Sequence, residues 1–305
     1  MSNPYVLETQ GLTRRYKRIP VVDQVDLQIK EGEIYGFLGP NGAGKTTTIR
    51  MLLGLINSSQ GDIHFFGKPL KGNRLDILKK VGSLVESPSY YPHLTGFQNL
   101  EIMRQMLDVP KTHVKEVLKM VRLTKVADKK AGQYSLGMKQ RLAIASAMLG
   151  FPKFVILDEP TNGLDLAGIQ EIRELIVDLP AKYGMTVMIS SHLLSEIDQI
   201  ATQVGIIAKG KLIFQDSIEQ LRAKSDAKIL LETNDPVHTR EIVESEGVKV
   251  RKEGHGVLIN HMPDPQVASL ISRLVQKEID VYRVAEQKTS LEDIFLQMTK
   301  GGETL

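Results

Sequence analysis

The chain has no cysteine among its 305 residues. No disulfide framework can hold it, which fits a reducing compartment, and its stability must come from a packed core. An excess of charge of one sign is also missing. The 39 basic residues stand against 36 acidic ones, a formal net of +3, too balanced to argue for nucleic acid as a partner. The basic clusters Arg14-Arg15-Tyr16-Lys17-Arg18 and Lys125 to Lys130 read as solvated surface. No apolar run approaches the ~20 residues of a transmembrane helix. Met1 to Tyr5 shows no basic stretch leading into an apolar one, so no signal peptide is expected. A soluble chain is expected, with any link to a membrane made through a partner. What remains is an ordinary globular composition, 42% apolar and 25% charged, in a length that suits a large core and a smaller second domain.

The organising stretch is Gly39-Pro40-Asn41-Gly42-Ala43-Gly44-Lys45-Thr46-Thr47. It follows the apolar run Ile34-Tyr35-Gly36-Phe37-Leu38 and opens a helical pattern through Ile49, Met51, Leu52 and Leu53. The spacing G-x-x-x-x-G-K-[ST] has a physical reason at each place. Glycines let backbone N–H groups turn inward around an anion, and the helix N-terminus adds its positive end. Lys45 brings a mobile charge to the β- and γ-phosphates, and Thr46 offers a hydroxyl to Mg²⁺. This is a nucleotide-phosphate cradle.

Around it the pattern alternates. Tyr5 to Thr9 and Val25 to Ile29 read as strands, giving a β-rich start. Asp62 to Gly67 reads as a strand, Leu75 to Lys80 as a helix and Val81 to Val85 as a strand. Pro88 and Pro92 break regular structure. A helical region follows from Thr95 to Ala127, interrupted near Pro110, and resumes from Gln140 to Leu149. Phe154-Val155-Ile156-Leu157 is a short all-apolar run, as expected for a strand covered on both faces. Helix Gly168 to Leu179, strand Thr186 to Ile189, helix Leu193 to Ala201 and strand Val204 to Ala208 complete a wound, largely parallel α/β sheet. Composition shifts near Ser225. The tail then reads as strand 228–232, helix 237–246, strand 248–252, a turn at Gly254-His255-Gly256, strand 257–260, helix 266–277, strand 281–285 and helix 291–299. That β-α-β-β-α-β order resembles a split-βαβ, ferredoxin-like module. Its three histidines read as surface residues, and it serves as an accessory or dimer-contact domain.

Asp158 and Glu159 end the Phe154 strand, where a sheet of this kind opens onto its ligand crevice. Asp158 is placed to hold Mg²⁺ opposite Thr46. Glu159 is the candidate base or orienter for an attacking water. With the cradle upstream, these define a phosphate-loop NTPase.

Three further stretches narrow the family. Tyr134-Ser135-Leu136-Gly137-Met138-Lys139-Gln140-Arg141 resembles the LSGGQ-type signature of ATP-binding cassette (ABC) ATPases. Asn162-Gly163-Leu164-Asp165 resembles their D-loop, and Ser191-His192 their H-loop. Order and spacing match over residues 5–215. The resemblance implies an α/β fold with a β-rich N-terminal subdomain, a helical subdomain at about 87–150, a nucleotide-binding domain over 1–222, and the small α+β module over 226–305. It implies two cassettes paired head to tail, with Ser135 and the Gly137 backbone of one donating to the γ-phosphate held by the other. His192 would bond the γ-phosphate, and Asp165 would order the dimer contact. Tyr16 matches the adenine-stacking position, though an exposed strand tyrosine reads the same way.

The chain departs from the family pattern in three places. Leu136 and Met138 replace the usual Gly and Gln of the signature. Glu86, in Val85-Glu86-Ser87-Pro88, stands where most cassettes place a Gln that contacts Mg²⁺ and the water. A carboxylate has the same reach but only accepts hydrogen bonds, so Glu86 is expected as a metal ligand. The Glu-Ser-Pro-x-x-Tyr-Pro-x-Leu-Thr run resembles the cassettes of bacitracin-resistance and lantibiotic-immunity exporters. Tyr90, Tyr91, Leu94 and Phe97 would either receive a helix of the membrane subunit or pack the helical subdomain.

The expected activity is therefore that of the ATPase subunit of an exporter. Its partners would be a transmembrane permease and a second ATP-binding subunit, as a homodimer, and it would lie in the cytoplasm on the inner face of the membrane. Two alternatives carry less. A soluble cassette ATPase acting on DNA or ribosomes would bring a long coiled coil or a second cassette. A regulatory module without turnover would not need Glu159.

Overall fold

The computed structural model describes residues 5–86, 89–223, 227–248, 250–253, 256–288 and 291–300. Ser87-Pro88, the composition shift at Ser225 and the turn residues Gly254-His255 lie outside the described residues. The chain divides into two compact units, one running to Ile218 and the other spanning Glu219–Met298.

The first unit opens with an antiparallel layer: β1 (Tyr5–Tyr16), β2 (Ile19–Val25) and β3 (Gln28–Lys30). The expected single strand Val25 to Ile29 is broken at Asp26-Leu27. Thr9 takes both backbone groups of Leu27: its N–H donates to the Leu27 carbonyl at 2.9 Å, and its hydroxyl accepts from the Leu27 N–H at 2.8 Å. Next come β4 (Ile34–Leu38), α1 (Lys45–Leu52), β5 (Gln60–Phe65) and β6 (Lys68–Pro69), with β5 joining the first layer beside β1. Then follow α2 (Arg74–Leu78) and β7 (Val81–Leu84). The helical region consists of α3 (Gly96–Leu107), α4 (Thr112–Met120) and α5 (Leu136–Met148), with 3₁₀ turns between the last two. A capping box of Thr95 and Gln98 starts α3.

Chain order continues with β8 (Phe154–Asp158), α6 (Leu166–Tyr183), β9 (Thr186–Ser191), α7 (Leu194–Ile197), β10 (Gln203–Ala208), β11 (Lys211–Ser217) and α8 (Ile218–Ala223). The main sheet runs β11-β10-β4-β9-β8-β7, with every neighbour parallel except β10 and β11. Strands β4, β8 and β9 are buried along their whole length, as a sheet covered on both faces requires. Strand β11 was not expected from the pattern. Lys209 and Gly210, with φ of 48° and 81°, make the tight reversal that pairs it with β10. The α/β architecture is that expected from the alternation of strands and helices.

Register decides where chemistry can occur. Leu38 of β4 pairs with Ser191 of β9, and Asp158 of β8 pairs with Ser190. The phosphate loop, the Asp158-Glu159 pair and Ser191-His192 thus leave three adjacent strands at the same carboxyl edge. The core beneath joins both layers. Phe65 of β5 and Phe154 of β8 lie with ring centroids 6.0 Å apart, amid Leu7, Phe37, Ile49 and Met188.

The second unit holds β12 (Ala227–Thr233), α9 (Pro236–Ser245), β13 (Val250–Glu253), β14 (Gly256–Asn260), α10 (Asp264–Gln276) and β15 (Val281–Lys288), with α11 (Leu291–Lys300) closing the described chain. Its sheet order β13-β14-β12-β15, antiparallel throughout, is that of a split βαβ module. Ile229, Leu231, Val243, Leu270 and Leu274 form its own core. His238 and His261 are exposed, as read from the sequence.

Candidate functional site

The loop after β4 is shaped by two glycines. Gly44 sits at φ 111°, a region that disfavours side chains. A Cβ on Gly39 would stand 2.4 Å from the Ile207 carbonyl, so the loop can turn there only without one. Lys45 begins α1 and is 6% exposed. Its ammonium donates to the Gly39 carbonyl at 2.7 Å and faces the Glu159 carboxylate at 3.3 Å. The Thr46 hydroxyl donates to Asp158 Oδ2 at 2.9 Å, although 112 residues separate them. The other Asp158 oxygen accepts from the Ser190 hydroxyl.

Glu159 has φ 49°, an unfavourable conformation for a residue with a side chain. It is held there from three sides. Its N–H donates to the Ser190 hydroxyl at 3.0 Å, and its carbonyl accepts from Asn162 N–H at 3.1 Å. Its carboxylate bonds the His192 ring nitrogen Nδ1 at 2.7 Å. Asn41, Gly42, Gly44, Lys45, Thr46 and Thr47 line one cavity of about 420 Å³ with Val21, Glu159, Asn162 and His192. Six residues of the expected phosphate loop, Lys45 among them, and the expected Glu159 and His192 are thereby brought together.

Other expected residues lie elsewhere. Ser135 caps α5 by accepting from Met138 N–H at 3.2 Å, so the helix begins at Leu136, earlier than the expected Gln140. Tyr134 anchors this cap, its hydroxyl donating to the Val126 carbonyl at 2.7 Å. Burial and the nearby Asp128 push its phenol above the ordinary range. Ser135 and Gly137 line a separate cavity of about 460 Å³ with Gly163, Leu164 and Asp165. Asp165 caps α6 through the Gly168 N–H at 2.9 Å. Tyr16 is 46% exposed, with the Arg14 guanidinium 4.8 Å from its ring centroid. Its ring is not among the residues lining the phosphate cavity.

Glu86, expected as a metal ligand, pairs its carboxylate with the Arg50 guanidinium of α1 and is 59% exposed. Arg50 offers a nearby positive charge that a glutamine at 86 would not need. Among the segment residues, Tyr91 is 54% exposed, and Asn99 bonds both its N–H and its carbonyl, at 2.7 and 3.1 Å. Tyr90, Leu94 and Phe97 are half-buried.

Two contributors escaped the sequence reading: Val21, which lines the cavity, and Ser190, which bonds Asp158 and the Glu159 N–H. For Ser190 a signal existed, since Ser190-Ser191 ends an otherwise apolar strand. Val21 carries none, because it reaches the cavity only through packing.

Among the described residues, no cluster of three or more His, Cys, Asp or Glu could hold a metal. The donors that are present, a hydroxyl and one carboxylate aimed at a phosphate cradle, suit a hard ion that completes its shell with phosphate and water oxygens, as Mg²⁺ does. They fit that ion.

Comparison with known proteins bears on the same residues. The family model described as ABC transporter matches residues 22–162, and one described as AAA domain, putative AbiEii toxin, Type IV TA system matches residues 128–198. The bacitracin transport ATP-binding protein BcrA of Bacillus licheniformis is 40% identical over 310 residues, covering 97% of this chain and 98% of that protein. The lantibiotic transport ATP-binding protein SrtF of Streptococcus pyogenes is 40% identical over 230 residues, covering 74% of this chain and 99% of its own length. Among solved structures, the dimeric ATP-binding cassette MJ0796 bound to ADP and Pi has a TM-score of 0.62 at 25% identity, covering 70% of this chain and 98% of that one.

Proposed function

The chain belongs to the ABC transporter family as an ATP-binding subunit that hydrolyses ATP, and we propose that it powers export of a peptide antibiotic or other toxic compound through a separate permease. The observation that carries the chemistry is the convergence of Lys45, Thr46, Glu159 and His192 on one cavity, with Asp158 bonded to the Thr46 hydroxyl. Export of a peptide antibiotic rests on the similarity to BcrA and SrtF, which spans nearly the whole of each relative.

In this reading the site residues divide the reaction among them. Residues 39–47 cradle the phosphates, and the Lys45 ammonium exchanges its contact with Glu159 for the γ-phosphate. Thr46 and Asp158 would hold Mg²⁺, which would offset phosphate charge and polarise the γ-phosphoryl group. Glu159, freed from Lys45, orients the attacking water and accepts its proton. His192 bonds the γ-phosphate, and its contact with Glu159 ties sensing to chemistry. Tyr16 supplies the adenine platform. Glu86 would join a metal's shell only by leaving Arg50.

Ser135 and Gly137 face a cavity of their own. We assign them to the γ-phosphate of a second copy, so that two sites form head to tail in a homodimer. Loss of the γ-phosphate then removes the cross-link between halves and reopens the dimer. Among the described residues no helix is long and apolar enough to cross a membrane, so in this reading the chain sits on the cytoplasmic face through its permease. The 226–305 module is its accessory domain.

Two measurements test this. Purification from native membranes in mild detergent should return a multispanning hydrophobic protein, and removing the chain from its host should sensitise the cell to bacitracin or a lantibiotic. Recovery with ribosomes, or unchanged sensitivity to both antibiotics, would overturn the exporter assignment.

A further inference from the structure

Glu196 of α7 is a carboxylate only 5% exposed, and no step above uses it. One oxygen, Oε2, accepts two hydrogen bonds, from the Thr161 hydroxyl at 2.8 Å and the Ser191 hydroxyl at 2.9 Å. Both donors are buried as well, at 5% and 1% exposure. Ser191 in turn accepts from the Leu193 N–H at 3.0 Å. An acceptor of this kind in a low-dielectric interior holds its donors firmly, because no water is at hand to replace them.

The two donors occupy telling places. Thr161 stands two residues after Glu159, at the head of the turn that runs to Asp165. Ser191 immediately precedes His192. The carboxylate therefore bonds both segments whose next groups meet at the 2.7 Å Glu159–His192 contact. Glu159 needs such support. Its φ of 49° persists only where surroundings over-determine it. If the Thr161 tether were cut, the residue could relax toward ordinary backbone angles and carry its carboxylate away from the histidine. A four-residue helix has too few internal hydrogen bonds to set this spacing by itself, so the side chain does it.

We propose that Glu196 is the positioning residue of the Glu159–His192 pair, clamping the turn 161–165 to the histidine segment so that the two move as one. The proposal rests on the assignment of Glu159 and His192 to hydrolysis. It adds a mechanical link: a shift of the turn that carries Asp165 is transmitted to the histidine through one buried oxygen.

The test compares the full chain with three variants by steady-state hydrolysis of ATP with Mg²⁺. Glu196→Gln keeps an acceptor oxygen for both hydroxyls. Glu196→Ala removes it. Thr161→Val removes one donor while leaving the carboxylate bonded to Ser191. Misplacement of a reacting group should lower kcat by about tenfold to a hundredfold in the Ala and Val variants. KM for ATP should stay within about threefold, since the phosphate loop is untouched. Glu196→Gln should restore most of the rate, and Thr161→Val should cost nothing further in the Glu196→Ala background. A wild-type rate in Glu196→Ala or Thr161→Val, a raised KM with kcat unchanged, or a Gln variant as slow as the Ala variant would each overturn the clamp. Should Glu196→Ala not fold, Thr161→Val decides by the same criteria. An unmodified chain without turnover would overturn the assignment of Glu159 and His192, and the clamp with it. Normal turnover in both the chain and its variants would overturn the clamp alone.

Discussion

The Glu159 carboxylate lies between the Lys45 ammonium, 3.3 Å from Oε1, and the His192 ring, 2.7 Å from Oε2. In the proposed reaction this pairing of Lys45 with Glu159 links anion binding to proton acceptance. An arriving phosphate would compete for the lysine and release the carboxylate for water. Binding and activation of the base would then be one exchange of ion-pair partners.

Replacing that carboxylate separates binding from chemistry. Glu159→Gln retains the shape but cannot accept the water's proton, so kcat should fall by about a hundredfold or more. Binding of ATP, read by fluorescence of a labelled nucleotide, should persist. A variant that hydrolyses ATP at the wild-type rate would remove Glu159 from the mechanism.

The hydroxyl–carboxylate pair should govern metal dependence. Thr46→Val leaves Asp158 bonded only to Ser190 and deletes one hard oxygen donor. The Mg²⁺ concentration for half-maximal hydrolysis should rise by about tenfold or more. The measurement is a Mg²⁺ titration at saturating ATP, and an unmoved midpoint would count against the assigned ligands.

Arg50 and Glu86 make a different metal prediction. Their pair is largely exposed, so its loss should change stability by about 1 kcal/mol or less in urea unfolding. If Arg50 competes with Mg²⁺ for the carboxylate, Arg50→Ala should lower the half-maximal Mg²⁺ concentration and Glu86→Ala should raise it. Unchanged activity and Mg²⁺ dependence in Glu86→Ala would confine Glu86 to its ion pair.

Gly44 tests the cradle's backbone. At φ 111° an alanine is strained, and its Cβ would meet the Val21 carbonyl at 2.9 Å. Gly44→Ala should destabilise the first unit by more than about 1 kcal/mol and weaken nucleotide binding. Calorimetry with and without ATP reads both effects.

In the second unit, Asp235 caps α9 by accepting from the Val237 and His238 N–H groups, both at 3.1 Å, and bonds the His238 ring at 2.7 Å. Hydrogen bonds from the His238 backbone and side chain lower the Asp235 pKa, while the bond to Asp235 raises that of His238. The raised histidine contributes stability fully below its unfolded pKa and loses it as pH rises through the folded value. The lowered aspartate contributes above its unfolded pKa and loses it as pH falls through the folded value. The cap should be strongest between those limits. Asp235→Ala should return His238 toward the ordinary imidazole range in an NMR titration.

The sequence alone determined the parts whose signal is local. The phosphate loop could be read because only glycines tolerate its turns and only a lysine and a hydroxyl suit its ligand, all within nine residues. The buried strand before Asp158-Glu159 could be read because a sheet covered on both faces must be apolar throughout. Periodicity likewise revealed the alternating elements of the second unit.

Other features depended on partners distant in the chain. The break at Asp26-Leu27 comes from Thr9, and the pairing of Glu86 from Arg50. The meeting of Ser190 with Asp158 comes from strand register, and so does the meeting of Thr161 and Ser191 on Glu196. Local patterning says which residues prefer to be buried, extended or turned. Which buried hydroxyl meets which carboxylate is decided only when strands pair and the sheet edge brings their ends together.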